Sequence, residues 1–376
     1  MVQTAAPLLT GETQADWLNR LETEHDNLRT ALGWVERSGD DEAFLAGVAA
    51  LWRFWWMRGH LVEGREWLAR ALARTDGRAT PVRARALSGA GVLAQAHGDC
   101  GHARALHEEA LGLHRRFDDE EGVASALSHL GLVAADEGDY PLAEERFQES
   151  LALDRRLGNG RAVCVELSNL GMVAFLRQDA GRAAELYDDA LRVARPLGDS
   201  QLLANILVNL AEAAEHQGDG PRALPLYDEA LALYRTLGDR QRSAFALAGL
   251  GRIAGNRGDL AGSAAMATES LALAWEIGDR AAAATAIEGL AAVAVGECAH
   301  ARAAELSGAA AALREAANAP IPAAYRDDGE RRLAALRSAL GDGFTAAWNA
   351  GRALPPEQAV RAALAAATYR TEPTGP

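Results

Sequence analysis

Residues 121–160 read EGVASALSHLGLVAADEGDYPLAEERFQESLALDRRLGNG, and residues 161–200 read RAVCVELSNLGMVAFLRQDAGRAAELYDDALRVARPLGDS. Laid one above the other, the two stretches agree column by column. Leu130-Gly131 stands over Leu170-Gly171, Ala143 over Ala183, Phe147 over Tyr187, and Ser150 over Ala190. Self-similarity at a fixed period is the signature of a repeat architecture. Working outward, Gly-Asp pairs recur at 98-99, 138-139, 218-219 and 258-259, with Gln178-Asp179 in the remaining slot. A second series half a period away reads Gly158-Asn159, Gly198-Asp199, Gly238-Asp239 and Gly278-Asp279. Residues 81–320 therefore divide into six gapless blocks of 40.

Within a block the hydrophobic period is helical. Val123, Ala126, Leu127, Leu130, Val133 and Ala134 follow i, i+3, i+4, i+7 spacing. Gly138-Asp139 then breaks the pattern: Gly supplies the left-handed conformation that closes a helix, and Asp caps the next one. Leu142, Ala143, Phe147, Ser150, Leu151 and Asp154 continue on a second helix, closed by Gly158. Each block is predicted to be two helices of about 17 residues, roughly 25 Å long. The composition agrees. Of the chain's 376 residues 49% are hydrophobic but only 6% aromatic, and Ala, the best helix former, fills the difference.

These columns resemble the tetratricopeptide repeat, in the 40-residue form found in kinesin light chain-like and bacterial sensor proteins. The usual first-helix aromatic is Ala here (Ala134, Ala174, Ala214), and the usual closing Pro is missing. The expected fold is all-α: a right-handed α-solenoid of about seven tetratricopeptide-like helix pairs with helical caps. The expected divisions are N-terminal capping helices over 13–40, a divergent Trp-rich repeat over 41–80, six repeats over 81–320 and C-terminal capping helices over 321–370. Length alone would suggest two or three domains; the 40-residue period replaces them with one elongated array. Six of the eight Trp precede residue 70. They read as an aromatic end cap, with an exposed docking surface as the alternative.

Both ends carry a more specific resemblance. Trp17-Leu18, the run Leu21 to Arg29, Ala31-Leu32 and Trp34 are similar to the segment opening the sensor region of actinobacterial signal-transduction ATPases. Those are the MalT-like, LuxR-type and antibiotic-pathway regulators. Trp52, Phe54, Trp55, Trp56, Arg58-Gly59-His60, Glu63-Gly64-Arg65 and Trp67-Leu68 are similar to that family's first sensor repeat. Leu340-Gly341, Phe344, Ala347-Trp348, Gly351-Arg352 and Ala359-Val360 are similar to its closing helices. The resemblance implies a sensor or regulatory arm, normally preceded by an effector domain, a P-loop ATPase and a winged helix. No G-x-x-x-x-G-K-[ST] loop is present, and with no Lys anywhere none can be completed. The chain thus resembles the sensor arm alone.

Charge narrows the partners. Against 52 acidic residues stand 38 basic ones, all Arg, for a net charge of −14. Such a chain repels phosphate backbones, so direct nucleic-acid binding is not expected. No stretch approaches the roughly 18 apolar residues of a membrane span, and Met1 to Trp17 lacks the basic and apolar regions of a signal peptide. Cys100, Cys164 and Cys298 are odd in number and far apart, as in a reduced, cytoplasmic protein.

In tetratricopeptide arrays the first helices line the concave groove. The partner-binding candidates there are His129, Asn169, Met172, Phe175, Asn205, Asn209, Glu212, Glu215, His216, Phe245 and Arg252. The exposed faces on which they lie also include Ala135 and Val208. Asn169 and Asn209 stand just before Leu170 and Leu210, with His129 in the same column. The resemblance implies that Asn in that column holds a ligand's backbone amide, and an Asn side chain offers the donor and acceptor a peptide unit needs. A solvated helix face or an inter-helix hydrogen bond is the alternative. The mix of acids and apolar patches suits a cationic or amphipathic peptide, or a partner helix.

The expected function is therefore binding of a protein, a peptide or a small effector. The alternatives are a stand-alone scaffold and an enzyme using the groove as its active site. His97, Asp99, Cys100 and His102 match no zinc spacing, and His129, Glu212 and His216 form at most a loose acid–base set. No catalytic residue, cofactor or metal is expected.

Overall fold

The structure is a computed structural model, and it describes Leu9, residues 14–321 and residues 323–368. The expected cap limits at 13 and at 369–370, and most of the segment read against a signal peptide, lie outside the described residues. Those residues form nineteen α-helices and no strand. The chain divides into two units, residues 1–173 and 174–376.

The first unit opens with α1 (Gln14–Thr23) and α2 (His25–Ser38). Pairs follow: α3 (Asp41–Arg58) with α4 (Leu61–Arg74), α5 (Pro81–Ala96) with α6 (Cys100–Arg116), and α7 (Glu120–Asp136) with α8 (Tyr140–Leu157). The unit ends within α9 (Gly160–Leu176). Beyond Val173 the second unit holds the end of α9 and α10 (Ala180–Ala194), then α11 (Ser200–His216) with α12 (Gly220–Leu237). Next come α13 (Arg240–Asn256) with α14 (Leu260–Glu276), and α15 (Arg280–Gly296) with α16 (His300–Ala316). It closes with α17 (Ala323–Leu340), α18 (Gly343–Arg352) and α19 (Pro356–Thr368).

The punctuation works as the residues dictate. Every residue in the two turn columns has positive φ: Gly98, Gly138, Gly158, Gly198, Gly218, Gly238, Gly258 and Gly278, but also Asp118, Gln178, Cys298 and Asn318. The register of the turn outranks the preference of the residue that fills it. The Asp that follows caps the next helix. Asp99, Asp119, Asp139, Asp179, Asp199, Asp219, Asp239, Asp259 and Asp279 each accept a hydrogen bond from the backbone N–H three residues on. Ala299 cannot, and α16 begins without a side-chain cap.

Small residues let paired helices meet. A Cβ added at Gly131 would lie 2.6 Å from the Phe147 ring, and one at Gly91 would lie 2.4 Å from the His107 ring. The aromatic of the second helix thus packs on the backbone of the first. At the C-terminal end of the second unit α16 and α18 cross backbone to backbone: a Cβ at Gly308 or Gly351 would meet the carbonyl of Trp348 or Glu305. Arg pairs with acids one repeat on, as in Arg115–Glu149 of the first unit, and Arg195–Glu229 and Arg235–Glu269 of the second.

The early Trp residues split between the two readings. Trp55 and Trp67 are buried, and Trp17 and Trp52 pack against the same core. Trp34 and Trp56 are exposed.

Candidate functional site

In the first unit, His129 projects from α7. Its Nδ1–H donates to the Ser125 carbonyl at 2.7 Å, which fixes the tautomer, and its ring stacks on His107 of α6 at 4.9 Å and 10°. His107 fills the slot that holds Phe147, Tyr187 and Tyr227 in the next repeats. It is fully buried, and neither ring nitrogen has a hydrogen-bond partner. Burial pushes its pKa down to about 3, with His129 nearby adding to the shift, so the ring is neutral at pH 7.

Asn169 and Met172 are half-buried on α9. The Asn169 Nδ2 is buried and makes no hydrogen bond. One turn earlier stands Glu166, also buried, with Oε2 unpartnered. Burial pushes its carboxyl up to about 7, and the nearby Asp154 adds to this; the polar side chains of Ser128, Asn169 and Ser150 close by oppose it. Asp154 of α8 is itself pushed up, first by burial. Sequence reading missed Glu166, but the repeat carried a signal. Its column holds Ala86, Ala126, Ile206, Ala246 and Ala286, all buried, so a carboxylate there is out of pattern.

In the second unit, Phe175 meets His216 edge to face at 4.9 Å and 88°. Arg252 of α13 grips Glu215 of α11 through two bonds, Nε to Oε1 at 2.8 Å and Nη2 to Oε2 at 2.9 Å. The Tyr227 hydroxyl of α12 also donates to Glu215, at 3.1 Å. The charges of Glu215 and Arg252 are thus matched to each other. Asn205 accepts hydrogen bonds from the Tyr234 hydroxyl at 2.9 Å and from Gln201 at 3.2 Å, which ties α11 to α12. Asn209 and Glu212 are half-buried on α11, and Phe245 is exposed on α13. Val208 and Ala135, expected on the exposed faces, are buried. Val208 packs into the core of the second unit with Ala204, Leu207 and Ala211.

The second unit also holds an open cleft of about 520 Å³ among α15, α16, α17 and α18. It is lined by Glu288, Arg314, Arg332, Leu333 and Trp348 among others. Arg314 and Glu288 are paired at 2.8 Å, while the Arg332 Nε is buried without a partner.

No metal cluster forms around His97, Asp99, Cys100 and His102 among the described residues. Asp99 instead caps α6 by accepting from the His102 N–H. Among the described residues no disulfide joins the cysteines: Cys164 is buried, Cys100 half-buried and Cys298 exposed.

Stacked helix pairs, closed by left-handed turns and opened by Asp caps, define an α-solenoid of tetratricopeptide-like repeats. Residues 122–201 and 202–276 match the family described as Tetratricopeptide repeat. No curated protein matches the sequence. Among solved structures, the chain is similar to a Signal Transduction ATPase with Numerous Domains protein with a tetratricopeptide repeat sensor from Pyrococcus horikoshii. That likeness has 15% identity and a TM-score of 0.62, over 96% of this chain and 56% of that one. A Rap protein complexed with competence and sporulation factor is 14% identical with a TM-score of 0.56, over 94% and 96% of the two chains. The apo form of RapI is 13% identical with a TM-score of 0.58, over 70% and 95%. Likeness at these identities establishes the fold. No helix among the described residues is long and apolar enough to cross a membrane.

Proposed function

We propose that the chain is a peptide- or protein-binding tetratricopeptide module that works in the cytoplasm as the sensor arm of a signal-transduction ATPase-type regulator. Occupation of its first-helix face would relieve or impose autoinhibition on the ATPase. The observation that carries the reading is Asn169. Asn169 is half-buried on α9, and its side-chain amide offers the donor and acceptor that a peptide unit needs. A peptide carbonyl suits that donor, and Asn209 occupies the matching column of α11. The sensor from Pyrococcus horikoshii and the Rap complex are consistent with this role, though the chain spans little more than half of the former protein's length.

The test is selection of an immobilised random-peptide library on the folded chain. Binders recovered on the wild type should lose at least tenfold in affinity on Asn169→Ala, with circular dichroism unchanged. Undiminished affinity sinks the clamp.

A small effector is the second reading, favoured by the cleft and its unpartnered Arg332 Nε. A carboxylate on an aromatic or aliphatic body would match Arg332 beside Trp348 and Leu333.

A further inference from the structure

Glu22, His25 and His60 come together near the N-terminus, although 35 residues separate the two histidines in the sequence. Glu22 lies in the last turn of α1, His25 opens α2, and His60 is the N-cap residue of α4. The His60 ring makes no capping hydrogen bond, so it is available for another role. Its Nε2 lies 3.1 and 3.2 Å from the two Glu22 oxygens. The two imidazole rings are 4.3 Å apart and tilted by 46°. One ligand atom from each of the three residues falls within a 4.8 Å cluster.

His25 is the second observation. It is buried, and its Nε2 makes no hydrogen bond, although it lies 3.2 Å from Glu63 Oε2. Both Glu63 oxygens are taken by Arg29, at 2.8 and 2.6 Å. The buried His25 Nε2 lies against the Glu63 carboxylate, and one nitrogen of the same ring falls in the cluster with His60 and Glu22. Phe54, fully buried, closes the site from behind, 5.2 Å from the His25 ring and 5.6 Å from the His60 ring.

We propose that Glu22, His25 and His60 bind a zinc ion. Two neutral imidazoles and one carboxylate form a borderline-soft N₂O donor set that zinc accepts at about 2.0–2.2 Å. Drawing the ligand atoms onto that sphere requires the cluster to close by roughly 1 Å, which side-chain rotation supplies. Water or a partner's side chain takes the fourth position. The ligands come from the α1–α2 junction and the α3–α4 turn, so the ion staples the opening helices to the first repeat. The proposal stands apart from ligand binding on the first-helix face.

The test uses the full chain, stripped with a chelator and titrated with zinc chloride by calorimetry. Cobalt chloride is the spectroscopic stand-in. One equivalent of zinc should bind, the thermal midpoint should rise, and cobalt should give the visible bands of a tetrahedral site. Glu22→Gln and His60→Gln should each abolish the binding and the bands. Glu22 is exposed, so the first variant keeps the fold if the second does not. Glu24→Gln, next to the cluster, should leave both intact. Absence of zinc binding, or one equivalent retained in Glu22→Gln, overturns the proposal.

Discussion

Arg252 of α13 holds Glu215 of α11 in a two-bond fork, with Nε–Oε1 at 2.8 Å and Nη2–Oε2 at 2.9 Å, across 37 residues of sequence. The acid is only 12% exposed and the base 27%, so water replaces neither partner well. The Tyr227 hydroxyl donates to the same acid. This three-helix contact ties one repeat to the next. Arg252→Ala leaves a largely buried carboxylate with only Tyr227, and should cost about 2 kcal/mol in urea unfolding. Arg252→Ala with Glu215→Ala should cost less than the sum of the single changes. Strict additivity would mean that the fork contributes no coupling.

Glu166 predicts a pH dependence. Its carboxyl is pushed from the ordinary 4.5 up to about 7, so the folded state binds the proton more tightly than the unfolded state does. Its contribution is fully present below pH 4.5 and is lost as pH rises through 7. Glu166→Gln removes that loss. At pH 8 the variant should be more stable than the wild type, by on the order of 2 kcal/mol, and the gap should close towards pH 4.5. Equal stabilities at pH 8 would show that the carboxyl is not strained there.

The last repeat lacks the cap chemistry of its neighbours. Cys298 adopts φ +61° in a column filled mostly by Gly, and Ala299 stands where the helices from α6 to α15 have Asp or Asn. Cys298→Gly relieves a left-handed side chain, worth about 1 kcal/mol. Ala299→Asp supplies a cap, also worth about 1 kcal/mol. Together they should raise the urea midpoint with an unchanged slope. A double variant no more stable than the wild type would mean that this turn is stabilised by something other than its local conformation.

The fold was legible because the turn columns are local. Gly138 and Asp139 state where one helix stops and the next starts within two residues, and repetition removes the ambiguity that a single helix would carry. Gln178 and Cys298 take the positive φ of that column although neither is Gly. The site was harder. Glu166 is detectable only by comparing columns, and its strain comes from burial and from Asp154 on a neighbouring helix. Asn169 and Asn205 look alike in the sequence, yet Tyr234 engages Asn205 while the Asn169 amide nitrogen is left unpartnered.

Helix type, period and caps follow from the sequence itself, since each depends on neighbours within one repeat. Which polar groups are free and which are consumed was decided by tertiary structure alone. Arg252 and Glu215 cancel across a repeat, and Glu22, His25 and His60 converge from three helix ends. Hydrogen bonds and ligand sets are settled over a few ångströms of space, and the residues that share those ångströms lie about one repeat apart along the chain.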